Sequence, residues 1–356
     1  MLPTFFGAGQ EQTVQQWEGE RRGQIVRLFE EQVYGITPAE LPAVSFVLEG
    51  EPEALCQGRV YRQVLRVELE KDGKRCGFRS RLFWPGEGDG PWPVAVMVNP
   101  FSRNLAVASP DREANQMPYE VICSQGYAAV HADVDEACLD SAEGYLEGLM
   151  ELYPPEGDAG WGAIGAWAFL TSRLIDVLVT LPQFDAAKIA VCGCSRAGKA
   201  ALWCAAQDAR VALVISNVSG CTGAAITRGK TGEHIADITH LFPHWMCKNY
   251  AAYANREEEL PVDQHMLLAL AAPRPLYVSS ASEDDWADPH MEWESLLLAG
   301  ELYDVYQVSR LPRQAFPAAQ TPLWQGATGY HLREGAHGCR IYDWEQFVAF
   351  MKAQGW

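Results

Sequence analysis

The stretch IAVCGCSRAGKAALW, residues 189–203, admits two readings, and the choice between them decides the fold. Gly193 to Lys199 spells G-x-x-x-x-G-K, a phosphate-binding loop up to its last letter. Such a loop then needs Ser or Thr to hold Mg²⁺, and Ala200 stands there instead. Gly193, Ser195 and Ala197 spell G-x-S-x-A, one letter from the nucleophile elbow G-x-S-x-G, which lifts a serine on a sharp turn between strand and helix. Both motifs join a buried strand to a helix. The choice therefore falls to the rest of the chain.

Around this stretch, VAVMVN (94–99), AAVHADV (128–134), KIAVCG (188–193), ALVISNVSG (212–220) and PLYVSSAS (275–282) are short, continuous apolar runs. Helical segments separate them, GAIGAWAFLTSRLIDVLVTL (162–181) being the strongest. Continuous rather than alternating hydrophobicity marks strands covered on both faces, so the pattern predicts an α/β fold with a mainly parallel central sheet between helices. Residues 11–34 carry helical spacing (Val14, Trp17, Ile25, Leu28, Phe29) and stop at Tyr34-Gly35. VSFVL (44–48), RVYRQVLRVEL (59–69) and GFRSRLFWP (77–85) read as antiparallel strands, the last two joined by the turn KDGK. YDWEQFVAFMKA (342–353) closes the chain as an amphipathic helix. No repeat, low-complexity tract or linker divides residues 1–356, so they are expected to form a single domain, with residues 1–90 integral to it.

Of the 356 residues, 48% are hydrophobic and 21% charged, enough apolar surface to bury a sizeable core. A net charge of −18 repels nucleic acid and anionic lipid, so neither is expected as a partner. Ten cysteines without C-x-x-C or zinc-like spacing read as reduced, buried residues. The N-terminus lacks a basic and apolar leader, and no apolar run approaches membrane-spanning length. Taken as it stands the chain reads as cytoplasmic; removal of a leader would make it secreted or periplasmic.

A phosphate loop usually opens the first βα unit of its domain, and here at least one unit precedes it. No apolar run ending in a metal-binding Asp stands out downstream. The elbow predicts more: an acid, then a histidine, further along the chain. Asp284 follows the run 275–282, and His337 lies in the Gly-flanked loop GYHLREGAHGCRIYDW before the last helix. Serine is a poor nucleophile until a neutral imidazole accepts its proton, and the carboxylate holds that ring in one tautomer. Backbone N–H groups at the helix start, that of Arg196 above all, face the developing oxyanion. One such donor is worth about 10²–10³ in rate.

With GCSRAGK, Asp284 and His337 in place, the chain resembles the glucuronoyl esterase family, α/β-hydrolases acting on plant cell-wall esters. The likeness extends through NVSGCTGAAITR (217–228), TGEHI (231–235), FPHWMCKNY (242–250), LPVDQHMLLALAAPRPLYV (260–278), WADP (286–289) and GYHLREGAHG (329–338). It covers roughly residues 160–350. The resemblance implies Ser195 as nucleophile, His337 as general base and Arg196 as a guanidinium in the oxyanion hole. It further implies that Lys199 and Glu233 bind hydroxyls of a glucuronate ring and that Trp286 packs against the sugar. Independently, helical spacing puts Lys199 one turn beyond Ser195, and two cations there suit an oxygen-rich acyl group better than a fatty chain.

The chain also departs from the family. Some members hold the acid in a block resembling SNVSGCTG, where this chain has Val218, so that role falls to Asp284. VNPFSRNLA (98–106) does not look like the G-N-H loop of bacterial relatives, which leaves the second oxyanion donor unassigned. Fungal relatives bridge positions similar to Cys194 and Cys339, so the resemblance admits a disulfide there.

Several residues have plainer readings. His331 sits on a strand as a satisfied core histidine. Glu283, Asp285 and Asp288 rival Asp284, any of them as the cap of the next helix. Asp263, Gln264 and His265 read as capping and packing, and His290, Glu292 and Glu294 as an exposed helix face rather than a metal site. His240 and His244 line the pocket or bury in its lid, and Trp245 and Trp286 read equally well as core or as site residues, Trp286 gaining from its position beside the acid.

The sequence thus predicts an α/β-hydrolase domain cleaving esters of (4-O-methyl-)glucuronic acid, such as those linking glucuronoxylan to lignin alcohols. It would act as a monomer without cofactor or metal. The alternatives are an acetyl xylan or other carbohydrate esterase, an inactive carbohydrate-binding relative, and a nucleotide enzyme.

Overall fold

The structure is a computed structural model and describes residues 1–7, 9, 11–103 and 116–356. Ten strands form one sheet: β1 (Ala43–Leu55), β2 (Val60–Lys71), β3 (Lys74–Pro85), β4 (Trp92–Val98), β5 (Ala128–Ala132), β6 (Phe184–Cys194), β7 (Val211–Asn217), β8 (Leu276–Ala281), β9 (Leu323–Gln325) and β10 (Thr328–Arg333). Their spatial order is β1-β2-β3-β5-β4-β6-β7-β8-β10-β9. The six strands from β5 to β10 in that order are parallel, and β1–β3 and β9 add on antiparallel. This is an α/β-hydrolase arrangement.

The apolar runs behave as two-faced strands should. Val94, Val96 and Val98 of β4 enter one core, while Ala95 and Met97 enter the other. Val191 of β6 likewise faces the first core, and Ala190 and Cys192 the second. Three long helices serve the first core: α3 (Ala163–Leu178), α4 (Arg196–Gln207) and α7 (Pro289–Val305). The second is closed by α2 (Tyr119–Ser124) and α8 (Ile341–Ala353), whose Trp344, Phe347 and Phe350 are buried against β8 and β10.

At the N-terminal edge, strands β2 and β3 turn through Asp72 (φ 51°) and Gly73 (φ 76°). Two residues at positive φ make the hairpin turn whose twist matches the strands, hence Asp-Gly in KDGK. β1 runs well past the apolar residues 44–48 into Glu49–Glu53, carried by pairing with β2 around a bulge rather than by burial. Residues 14–34 are helical, with α1 (Arg22–Phe29) at their centre, and end at Gly35, where a Cβ would come within 2.1 Å of Trp161 Cα. Tyr34 stacks on Trp203 of α4 at 4.8 Å, with Phe29 beside it. Burying Phe29 alone is worth about 1.5–3 kcal/mol, so this segment braces the back of the helix that carries the elbow.

The chain leaves β4 to form β5 on one side and then β6 on the other. Such a switch opens a crevice at the carboxyl ends of the strands. Ser195, Asp284 and His337 follow the carboxyl ends of β6, β8 and β10.

Candidate active site

Ser195 sits between β6 and α4 with φ 59° and ψ −126°, a conformation that costs a non-glycine residue about 1–3 kcal/mol. The turn is locked from both sides. Ser195 N–H donates to Asn217 O of β7 (2.9 Å), and its own carbonyl accepts from Gly198 N–H (2.9 Å). A Cβ on Gly193 would lie 2.1 Å from Ala197 O, and one on Gly198 would lie 2.8 Å from Ser219 Cβ. Both glycines are therefore demanded by close strand–helix packing. As the first residue of α4, Arg196 has a backbone N–H with no helical acceptor, as an oxyanion donor requires.

His337 Nδ1 lies 2.6 Å from Asp284 Oδ2. Asp284 is buried, and its Oδ1 accepts from Ala287 N–H at 3.3 Å; the imidazole side chain is 45% exposed at the mouth of a cavity. That cavity, of about 220 Å³, is lined by Ser195, Arg196, Lys199, Glu233, Asp284, Trp286 and His337 among others. Every residue expected at the site reaches this one space.

The cations are held in different ways. The Arg196 guanidinium pairs with Asp140 and lies over the rings of Trp245 (4.5 Å), Phe242 (5.0 Å) and Phe101 (5.3 Å). Asp140 also accepts from Trp245 Nε1 (2.8 Å) and bonds His244 Nε2 (2.9 Å). Burial alone would raise the Asp140 pKa, but these bonds and the guanidinium outweigh it and hold the carboxyl below its ordinary value. Lys199 is almost fully buried, donating to Ser219 O (2.7 Å), Cys221 O and Glu233 Oε2 (3.3 Å). The next residue, Ala200, is buried and offers no side-chain oxygen to hold Mg²⁺, which speaks against the phosphate-loop reading. Trp286 stands on the rim, 47% exposed, and Trp245 is buried beneath Arg196.

Other residues take structural places. His331 is fully buried between Asp343 and Tyr277, and burial lowers its pKa despite Asp343. Asp288 caps α7 through Met291 N–H and also accepts from Thr231 N–H. Asp263 caps α6 (Gln264–Ala269), which follows α5 (Ile235–Leu241) in the chain. His244 is buried and His240 exposed. The structure places no disulfide between Cys194 and Cys339. Of VNPFSRNLA, residues 104–106 lie outside the described residues.

One expectation is overturned. Glu292 is not on an exposed face; it is fully buried, because α7 packs its first turn against β8 and the wall of the cavity. Its Oε1 accepts from Gly220 N–H (2.9 Å) and Oε2 from Ser280 Oγ (2.6 Å). Burial, with the nearby Asp284 charge, pushes its pKa up to about 7 against those hydrogen bonds and Lys199. Among the described residues, no group of three or more His, Cys, Asp or Glu is disposed to hold a metal. No helix there is long and apolar enough to cross a membrane.

No motif marks Asp140 or the buried place of Glu292, and both lie far in the chain from the residues they hold.

An α/β-hydrolase sheet with a strained serine elbow and a His–carboxylate pair at the same strand ends is the constellation of a serine hydrolase. Comparison with known proteins narrows the class. The family described as "Glucuronyl esterase, fungi" matches residues 67–307, and the chain belongs to the glucuronoyl esterase family. It is 31% identical to a carbohydrate esterase of an unknown prokaryotic organism, over 95% of this chain and 85% of that one. It is 27% identical to the 4-O-methyl-glucuronoyl methylesterase of Schizophyllum commune, over 86% of this chain and 72% of that one. The solved glucuronoyl esterase from Solibacter usitatus superposes with a TM-score of 0.90 at 32% identity, covering 99% of this chain and 97% of that one.

Proposed function

We propose that this esterase hydrolyses esters of glucuronic or 4-O-methyl-glucuronic acid through an acyl-enzyme on Ser195. The observation that carries the proposal is the 2.6 Å His337–Asp284 pair facing the cavity that Ser195, Lys199 and Glu233 also line. His337 Nε2 takes the proton of Ser195 Oγ as that oxygen attacks the uronate carbonyl, and Asp284 stabilises the imidazolium that forms. The Arg196 backbone N–H and guanidinium meet the oxyanion. His337 then gives its proton to the leaving alcohol, and a water, deprotonated by the same ring, releases glucuronate. Lys199 and Glu233 bind hydroxyls of the ring, and Trp286 covers its face at the rim.

An ion pair on one wall and a half-buried Arg on another favour an acyl group bearing hydroxyls over a simple acetyl. The protein is taken to work as a monomer and as one domain, since β1–β3 continue the catalytic sheet. The test is hydrolysis of matched methyl and benzyl glucuronate beside acetylated xylose. The glucuronate esters are expected to lead by about tenfold or more in kcat/KM, since a site built for hydroxyls rejects ligands lacking them. Acetylated xylose turning over faster would reject the proposal.

A further inference from the structure

The loop that carries His337 has little to hold it by burial. Glu334, Ala336 and His337 are exposed, and Gly335 (φ 101°) and Gly338 (φ 132°) leave its backbone permissive. Yet the imidazole stands within 2.6 Å of Asp284, so something else fixes it. Arg333, at the end of β10 and buried, is in place to do so. Its Nη2 donates to Ala336 O and Gly338 O, both at 2.9 Å, the carbonyls on either side of His337, and its Nη1 donates to Glu334 O at 2.8 Å. Its Nε donates to Asp343 Oδ1 and Oδ2 at 3.1 Å each. Asp343, fully buried in the first turn of α8, accepts in addition from Arg340 N–H (2.7 Å) and bonds His331 Nε2 (2.8 Å). The chain of contacts runs from a core helix through one planar cation to the catalytic loop.

We propose that Arg333, anchored by Asp343, is a positioning residue that clamps the His337 loop and sets the imidazole against Asp284. The inference rests on the reading of His337 as general base. Only a guanidinium can make this set of contacts, because its five donors, fixed in a plane, reach a carboxylate on one edge and three carbonyls on the others. The three tetrahedral donors of a lysine cannot span both carbonyls flanking His337 and Asp343 at once. The arrangement also gives His331 a purpose, as a second partner that keeps Asp343 turned toward Arg333.

The test compares Arg333→Lys and Asp343→Asn with the wild type on benzyl glucuronate. Each is expected to lower kcat about 10- to 100-fold, the usual effect of removing a group that orients a catalytic side chain, with KM within about twofold. Labelling of Ser195 by a fluorophosphonate is expected to slow in parallel, because it needs the same base. The strongly deshielded proton of the short His337–Asp284 bond should broaden or vanish from the NMR spectrum of Arg333→Lys. In Arg333→Ala, low concentrations of guanidinium should restore kcat saturably where methylammonium does not. Either folded variant keeping wild-type kcat and the deshielded proton overturns the proposal, and the second variant decides if the first fails to fold. His337→Ala separates the two claims. If it is inactive while Arg333→Lys is not, only the clamp fails; if it too remains active, the general-base reading fails.

Discussion

Glu292→Gln is the perturbation whose effect can be worked most fully. The carboxyl is fully buried and titrates at about 7 in the folded protein, against an ordinary 4.5. At about 1.4 kcal/mol per pH unit, the displacement corresponds to about 3 kcal/mol. Below pH 4.5 the group is protonated in both folded and unfolded chains, and the stability tied to its proton is present in full. As pH rises the unfolded chain ionises first, and that stability is lost by the time pH passes through about 7. Glutamine has the same shape: its Oε1 accepts from Gly220 N–H and its Nε2 donates to Ser280 Oγ, at every pH. Urea unfolding of both proteins between about pH 4.5 and 8 reads the difference. Relative to the wild type, the variant should gain about 3 kcal/mol across that range. A difference constant to within about 0.5 kcal/mol would show that Glu292 does not titrate there, and the reasoning from burial would fall.

Arg196→Lys should lower kcat about 100-fold with the fold intact, since lysine keeps the charge but loses the stacked plane between Asp140 and Trp245; steady-state kinetics and a melting curve check it. Trp286→Ala should raise KM for glucuronate esters by about 5- to 20-fold and leave Tm unchanged, because the ring is half exposed and rests on little of the core. Gly198→Ala should cost about 1–3 kcal/mol in urea unfolding, as its Cβ would press on Ser219 at 2.8 Å.

Much of this architecture is legible in the amino-acid order alone. The β-branched runs ending at Val98, Cys194 and Ala281 can be read as two-faced strands because their buried apolar residues enter one core or the other in alternation. The elbow, Asp284 and His337 follow in the chain order that goes with the α/β-hydrolase elbow, and strand ends are where such groups gather. Strand order is not legible: nothing in AAVHADV says that β5 inserts between β3 and β4. Glu292 reads wrongly as exposed because α7 is apolar on most of its circumference, so periodicity does not single out a solvent face. Asp140 and Arg333 carry no signal for another reason. Their function lies in what they hold, and that depends on contacts made only once the chain has folded.

The most direct measurement is the rate of benzyl glucuronate hydrolysis by the wild type and by Ser195→Ala, prepared and assayed side by side. The wild type should turn over and the variant should fall by about 10⁴-fold or more while remaining folded. A variant that hydrolyses the ester at the wild-type rate would contradict the assignment of the nucleophile and the mechanism built on it.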